Sequence, residues 1–473
     1  MNTLGISETV VHNALKKDVS GGFVAMDMRG RHVPRNKLPD NVLNRVRLHI
    51  TSFPSYESHY SRNKSSKKYL GPELNKEKMY KLYLAKCEED KVPKASIAKK
   101  WAYKNILKSE FNLSFKTPSA DTCDSCDKFI VQLKDCANEV NKLTLQENYN
   151  THLKDADIRY EEKRNDKRGS RSSPESIKVV MMDLQKCLPT PYLTNNQSFY
   201  CLKLWTLNLT IYDATMKKSY CMVWDESEAG RGGHEIASAL VKWAEMVLKN
   251  SAIEHLIIWS DNCPSQNRNV MIMMSYMWLK NTCPNLKIIE HKFLLRGHTH
   301  MEADHVHALI EKCLKKQTTM EICTPWDWEQ LIRSTGATVI KMELPDFKNV
   351  DTLYNKPQSP FISKKQNTEK EPFLISKVVH FRIQDDTPGT IFYKETFSQE
   401  SFKELSVKRS PRNELILPDK LPVQHKNLRG VTKKKHSYLI KLLQWVPIQF
   451  HGFYKNIPIS QKASDDELND SDD

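Results

Sequence analysis

The chain has 473 residues, 39% of them apolar and 9% aromatic, which is enough core-forming material for two or three folded units. It contains no uncharged apolar run of about 18 residues and no apolar N-terminal signal stretch, so we expect a soluble, intracellular protein without membrane spans. The net charge is +15 although six of the last ten residues are acidic, and this excess favours a polyanionic partner, most simply nucleic acid.

The first 175 residues divide into two predicted regions. Residues 1–72 show little periodicity and include the basic stretch SRNKSSKK, which predicts an irregular basic segment. Residues 73–175 contain helical patterns, among them KEKMYKLYLAKCEED and KASIAKKWAYKNILKSEF, separated at Pro93. A helix-turn-helix and a plain helical hairpin both fit this pair. The region ends in KRNDKRGSRSSP, whose Gly, Ser and Pro residues predict a flexible linker.

A zinc site is predicted in the same region. Cys123 and Cys126 have the Cys-x-x-Cys spacing with which two thiolates bind one tetrahedral zinc ion. The remaining ligands of a closed site are expected to be His152 and either Cys87 or Cys136. Reduced, unliganded thiols are the alternative. The eleven cysteines are odd in number and scattered, which argues against a disulfide framework.

Residues 176–320 predict an α/β core. The order of patterns is strand, strand, strand, helix, strand, helix, strand, helix, beginning with IKVVMMDL and continuing through a hairpin to HLIIWSD and LKIIEHKFLL. A hairpin followed by alternating helices and strands implies a mixed sheet with helices on its faces. This is the element order of a ribonuclease H-like domain. Residues 321–460 predict a small α+β accessory module, and residues 461–473 a disordered acidic tail.

Carboxylates end two of the apolar runs and open a later helix. Asp183 closes IKVVMMDL, Asp261 closes HLIIWSD, and Asp304 follows the last strand. In a ribonuclease H-like sheet the first and fourth strands are neighbours, so Asp183 and Asp261 are expected to share a divalent metal, Mg²⁺ or Mn²⁺. A third acid on the following helix would hold a second ion, and paired ions drive in-line displacement at phosphate.

The third acid is ambiguous from the residues alone. Glu302 and Asp304 point about 200° apart on a helix, and the apolar stripe turns Glu302 towards the sheet. Four residues with side-chain amides follow Asp261 closely in sequence: Asn262, Gln266, Asn267 and Asn269. Their amides either orient metal-bound water and phosphate or cap the next helix.

Several nearby histidines have more than one interpretation. His298 and His300 would approach the scissile phosphate or bind a soft metal, whereas structural or solvated roles are expected for His305 and His307.

Six segments of the chain together resemble a known family. They are DMRGRHVPRNKLP, FPSYESHYSR, FNLSFKTPSADTCDSC, MMDLQKCLPTP, SDNCPSQNRN and GHTHMEADHVHALIE. They resemble a mostly uncharacterised, transposable-element-derived family of DDE/D-type, ribonuclease H-like proteins of animal genomes. The resemblance implies Asp304 rather than Glu302 as the third acid and adds Glu311 to the pattern. Ser265 stands where the family usually has glycine.

Two functions follow as hypotheses. The first is a transposase-like nuclear protein that cleaves and joins double-stranded DNA with two divalent metals. The second is a domesticated derivative that keeps the fold and binds DNA but no longer cuts it. The DNA target and the oligomeric state stay open.

Overall fold

The computed structural model describes residues 5, 7–16, 38–57, 67–71, 73–115, 122–193, 195–316, 321–409 and 415–460. The chain forms two compact units, one within residues 1–120 and the other within 121–473. Three predicted features lie wholly outside the described residues: the acidic tail, the SRNKSS part of the basic segment and the DMRGRHVPRNK part of the family pattern.

The first unit is mainly helical. Its elements are α1 (Glu8–Leu15), α2 (Asp40–Thr51), β1 (Tyr56–Glu57), β2 (Lys68–Leu70), α3 (Lys76–Glu89), α4 (Lys100–Ser109) and β3 (Leu113–Phe115), with a 3₁₀ turn at Lys94–Ser96. Helices α2, α3 and α4 pack on one another around a core that includes Val46, Tyr83 and Tyr103. On α4, Tyr103 is fully buried, whereas Trp101 is 65% exposed among lysines.

The second unit contains a long helix, a large sheet and flanking helices. In chain order its elements are α5 (Asp124–Asp135), α6 (Glu139–Ser172), β4 (Ile177–Leu184), β5 (Leu188–Thr190), α7 (Asn196–Phe199), β6 (Leu204–Asp213), β7 (Lys218–Asp225), α8 (Gly233–Val247), β8 (His255–Ser260), α9 (Val270–Thr282), β9 (Ile288–Phe293), α10 (Glu302–Lys316), α11 (Pro325–Ser334), β10 (Thr338–Lys341), β11 (His380–Gln384), β12 (Thr390–Lys394), β13 (Lys403–Ser406), α12 (Lys433–Leu442) and α13 (His451–Lys455).

Within the described residues of this unit, ten strands form one mixed sheet. Its order is β10-β7-β6-β4-β8-β9-β11-β12-β13, with β5 paired to β6. Strands β4, β8 and β9 are mutually parallel, and β6 runs antiparallel to both β4 and β7. The central strand β4 is apolar at successive positions because both of its faces are covered.

Helices cover both faces of the sheet, as the alternation of side chains along β4 shows. Val180 and Met182 join the core cluster that contains the buried residues of α8 and α9. Val179 and Met181 lie on the opposite face with Trp259 and with Tyr160 of α6. On that same face, α10 and α11 pack against β6 and β7. The carboxyl end of β4 therefore lies at the edge of a three-layer structure.

The predicted α/β class, with a mixed sheet and flanking helices, is confirmed. The five long strands and the helices between them occur in the predicted order. The domain limits differ from the prediction. Residues 73–115 belong to the first unit, whereas residues 122–175 belong to the second. The region 321–460 does not form a separate module, because β10 to β13 extend the same sheet at both of its edges.

The predicted linker is also folded differently. KRNDKRGSRS lies within the last turns of α6, a helix of 34 residues. Its C-terminal half packs on β4, and Asp166 accepts hydrogen bonds from Trp259 Nε1 (2.8 Å) and Lys292 Nζ (2.9 Å). Among the described helices, none is both long enough and apolar enough to cross a membrane.

Candidate metal centres

Two acids lie side by side at the carboxyl edge of the sheet. Strands β4 and β8 are adjacent and parallel, and Met182 pairs with Ser260 in their register. Asp183 and Asp261 are the next residues on the two strands, whose backbones are about 4.8 Å apart. The prediction that these acids belong to neighbouring strands agrees with this register.

Asp304 reaches the same place from α10. It lies in the first turn of the helix, where its carboxylate accepts a hydrogen bond from the backbone N–H of Met301 at 2.6 Å. Its Oδ2 is also 3.5 Å from His300 Nδ1. Oxygen atoms of Asp183 and Asp304 and a ring nitrogen of His307 all lie within 4.8 Å of one another. A helix and a strand thus bring three potential metal ligands together.

His307 is one turn beyond Asp304 on the same helix. Its Nε2 is 3.0 Å from Oγ1 of Thr210, the residue of β6 that pairs with Asp183 across the sheet. Its Nδ1 is 3.8 Å from Asp183 Oδ2, and the imidazole is only 12% exposed. Burial lowers the pKa of His307 to about 4, against the opposing effect of the Asp304 charge. The ring is therefore neutral at pH 7 and its nitrogen is available as a ligand.

Burial and mutual repulsion raise the pKa of two of the three acids in the cluster. Burial, together with the negative charges of Asp261 and Asp304, raises the pKa of Asp183 well above its ordinary value. Burial also raises the pKa of Asp261. Burial works in the same direction at Asp304, but hydrogen bonds from His300 and the Met301 backbone outweigh it and hold that pKa below its ordinary value. A divalent cation would relieve the repulsion among these acids.

The loop after β8 supports Asp261. Its carboxylate accepts hydrogen bonds from the side-chain amide of Asn267 and, at 3.3 Å, from the backbone N–H of Cys263. Asn267 is 1% exposed, and its own amide oxygen has no hydrogen-bond partner within the described part of the chain. Asn269 caps the N-terminus of α9, so for this amide the capping role expected as the alternative is the one observed. Asn262 and Gln266, in the same loop, are half-buried.

Glu302 faces away from the acid cluster. Its carboxylate forms ion pairs with Lys163, at 3.3 Å, and with Lys167, both on α6. Although burial opposes it, these lysines hold the pKa of Glu302 below its ordinary value. The helical-wheel argument, which turned Glu302 towards the metals, is therefore wrong, because the Glu302 side chain points to the lysines of α6. Glu311 lies two turns beyond Asp304, where it is 59% exposed and 3.9 Å from Lys315.

A second group of potential metal ligands includes a residue of the loop before α10. Cys123 Sγ is 3.3 Å from His152 Nε2, Cys126 Sγ is 3.4 Å from His298 Nε2, and the two Nε2 atoms are 3.2 Å apart. A tetrahedral zinc ion separates a sulfur and a nitrogen ligand by about 3.6 Å and two nitrogen ligands by about 3.3 Å. The spacing of the four groups therefore fits a closed Cys₂His₂ site.

Three parts of the chain build this group. Cys123 and Cys126 begin α5, and His152 lies on α6, which packs against α5. His298 comes from the loop between β9 and α10. Gly297 in that loop has φ +75°, and a Cβ there would lie 2.7 Å from the Cβ of Cys123. Only glycine permits this close approach at this backbone angle.

The predicted ligands are thus partly brought together. Cys123, Cys126 and His152 form the group, but the fourth member is His298 instead of Cys87 or Cys136. Cys87 is buried in the core of the first unit. Cys136 follows α5, where its thiol donates to the carbonyl of Asn138 at 3.4 Å. His298 is 146 residues from His152 in sequence, so no local spacing connects them.

Comparison with known proteins adds one similarity. Residues 218–399 match a family described as "Domain of unknown function (DUF7869)". The matched part begins at β7 and ends after β12, so it includes Asp261, His298, Asp304 and His307 and excludes Asp183. No curated protein was found to match the chain.

Proposed function

We propose that this chain is a transposase-like, metal-dependent DNA nuclease and strand-transfer protein with a ribonuclease H-like core. The observation that carries the proposal is the meeting of three acids at one edge of the sheet. Asp183 and Asp261 come from adjacent parallel strands, and Asp304 comes from the helix that packs beside them. Acids in such an arrangement bind hard divalent cations, Mg²⁺ or Mn²⁺.

The sheet order supports the fold part of the proposal. Counting from β4 and leaving out the short β5, the first strand (β4) is flanked by the second (β6) and the fourth (β8). Adjacency of the first and fourth strands is what a ribonuclease H-like sheet requires. The net charge of +15 supports double-stranded DNA as the partner and, with it, a nuclear location.

The residues present fit the proposed ions. The acids are partly buried and repel one another. Asn267, whose amide donates to Asp261, has a buried amide oxygen that finds no hydrogen-bond partner among the described residues. Two bound ions would activate a water or a 3′-hydroxyl and stabilise the leaving oxygen. Asp183, Asp261 and Asp304 would hold these ions. Asn267 holds the Asp261 carboxylate in place, and the Met301 N–H does the same for Asp304.

The test is nicking of supercoiled plasmid by the full chain in Mg²⁺ or Mn²⁺. We expect Asp183→Asn, Asp261→Asn and Asp304→Asn each to abolish nicking, because each removes a metal ligand. Glu302→Gln and Glu311→Gln are the matched controls from the same helix and should still nick. Loss of nicking in Glu302→Gln but not in Asp304→Asn would contradict the assignment. Binding to DNA without any nicking would identify a domesticated, inactive derivative.

We propose further that Zn²⁺ occupies the Cys₂His₂ group in a structural role. Four ligands in tetrahedral spacing leave no open coordination position for a substrate, which is typical of structural zinc. The ion would fasten the α5–α6 pair to the loop that precedes α10.

Metal analysis of protein purified under reducing conditions tests this role. We expect one zinc per chain in the unmodified protein and in Cys136→Ser, and loss of zinc in Cys126→Ser and His298→Ala. Full zinc content in His298→Ala would contradict the ligand set.

A further inference from the structure

The histidine one turn after Asp304 has no role in the function proposed above. His307 projects from α10 towards β4 and β6, where it lies between Thr210 and Asp183. Helix α10 packs on both of these strands, so the position of the imidazole is set by the core. Its neighbour His305 is exposed on the same helix.

The two ring nitrogens of His307 are in different situations. Nε2 is 3.0 Å from Thr210 Oγ1, which is an ordinary hydrogen-bond distance. Nδ1 is 3.8 Å from Asp183 Oδ2, which is too long for a hydrogen bond. Two ligands of one octahedral ion with bonds of about 2.1 Å are separated by about 3.0 Å in adjacent positions and about 4.2 Å in opposite ones. At 3.8 Å the two atoms are closer than the roughly 4.2 Å that one ion can span, although the distance lies between the two ideal octahedral values.

We propose that His307 is a metal ligand through Nδ1, and that one ion of the acid cluster is bound by Asp183, Asp304 and His307 together. The proposal deepens the metal-dependent nuclease function and rests on it for the identity of the site. Nitrogen and oxygen atoms of these three side chains all lie within 4.8 Å of one another.

Thr210 would then fix the orientation of the His307 ring. A proton on Nε2 is donated to Thr210 Oγ1, and the lone pair on Nδ1 points towards Asp183. Metal-bound histidines usually donate their other N–H to a neighbouring acceptor in this way, which fixes the ring orientation. Thr210 is fully buried and its hydroxyl is 3.7 Å from Cys221 Sγ, a second partner for its own proton. It is therefore a positioning residue.

An imidazole ligand changes which metal the site prefers. Mg²⁺ binds oxygen ligands almost exclusively, whereas Mn²⁺ and other transition ions accept imidazole as well as carboxylate. The His307 position should therefore bind Mn²⁺ more tightly than Mg²⁺. The other ion position, between Asp183 and Asp261, has only oxygen ligands among these groups and carries no such preference.

The experiment uses the full chain and Mn²⁺ as the probe. Electron spin echo modulation of bound Mn²⁺ should show coupling to a ¹⁴N nucleus, and this coupling should disappear in His307→Ala and in His307→Gln. It should persist in His305→Ala, the matched control, and in His300→Ala, which removes the exposed histidine beside Asp304. Calorimetric titration should show at least a tenfold loss of Mn²⁺ affinity in His307→Ala, with less than a threefold change for Mg²⁺.

Specific results would overturn the proposal. They are ¹⁴N coupling that persists in both His307 variants, coupling that is lost in His300→Ala, or equal losses of Mn²⁺ and Mg²⁺ affinity. Thr210→Val provides a second measurement, in which the coupling should persist while Mn²⁺ affinity falls.

The nuclease function can fail independently of this proposal. If Mn²⁺ binding depends on His307 but plasmid is never nicked, the nuclease proposal is wrong and the ligand assignment stands. If plasmid is nicked and Mn²⁺ binding does not depend on His307, the nuclease proposal stands and the ligand assignment is wrong.

Discussion

A buried histidine next to the acid edge predicts how the protein responds to acid. His291, on β9, is fully buried between Ser260 and Tyr276. Ser260 Oγ is 2.6 Å from the carbonyl oxygen of Asp261 and donates its proton there, so it accepts from His291 Nε2 at 2.8 Å. Tyr276 then donates to Nδ1 at 2.9 Å. When the imidazole is neutral, every polar hydrogen in this chain of hydrogen bonds therefore has an acceptor.

The size of the effect follows from the pKa of this histidine. Burial lowers the pKa of His291 to about 3, whereas an unfolded histidine has a pKa of about 6.5. Above pH 6.5 neither state binds the proton, so stability is unaffected. As the pH falls below 6.5 the unfolded state binds a proton that the folded state does not, and stability is lost. Between pH 7.5 and 5.5 this histidine alone lowers the free energy of unfolding by about 1.4 kcal/mol.

The measurement compares denaturant unfolding at pH 7.5 and 5.5 in the unmodified chain and in His291→Gln. Glutamine does not titrate, so the acid-induced loss should be smaller in the variant by about 1.4 kcal/mol, whatever its stability at pH 7.5. His305→Gln, which replaces an exposed histidine, is the control. An equal acid-induced loss in His291→Gln and the unmodified chain would refute the reasoning. Direct titration of the His291 imidazole by NMR provides a second check.

Three further predictions concern single side chains and salt. Glu302→Gln should lower the free energy of unfolding by about 2 kcal/mol, as measured by denaturant unfolding, because Lys163, only 8% exposed, loses a charged partner. On α4, Tyr103→Ala should cost about 3 to 5 kcal/mol whereas the exposed Trp101→Ala should stay within about 0.5, and equal costs would contradict the packing described. The affinity of the full chain for duplex DNA, measured by fluorescence anisotropy, should fall by roughly 10³ or more between 50 and 200 mM salt if six or more phosphates are contacted, and a flat salt dependence would argue against the nucleic-acid partner.

The strands that carry the acids were predictable from local sequence. IKVVMMDL and HLIIWSD are short apolar runs with a carboxylate at the end, and both form central strands because helices cover both faces of the sheet. Their order along the chain predicted neighbouring parallel strands, and the register places Asp183 next to Asp261. Local pattern and tertiary structure agree at these positions.

Helix α6 shows why other features were not predictable. Its buried positions are Ala156, Arg159, Lys163 and Ser170, which recur at helical spacing but are mostly polar. Hydrophobic periodicity therefore indicated a solvated helix followed by a linker. Arg159 and Lys163 are buried because Phe293 O, His300 O and the Glu302 carboxylate satisfy them, and these partners lie far away in sequence.

The place of His298 in the Cys/His group was also not predictable, because its partners are distant in sequence. Its partners lie on α5 and α6, and only the packing of those helices against the loop before α10 brings the nitrogen to the thiols. The sequence did offer one signal, since the glycine required at position 297 immediately precedes it.

The extension of the sheet by β11 has a practical consequence for truncated proteins. Strand β11 pairs with β9 along five residues, and two of its side chains contact the buried Glu290. Arg382 forms an ion pair with that carboxylate, its Nε lying 2.9 Å away, and His380 Nε2 hydrogen-bonds to it at 2.7 Å. A fragment that ends at residue 320 keeps all three acids but leaves one side of β9 unpaired and Glu290 without these partners. Unpaired strand edges associate with one another, so such a fragment should aggregate. A soluble fragment that carries the three acids must therefore extend at least through β11.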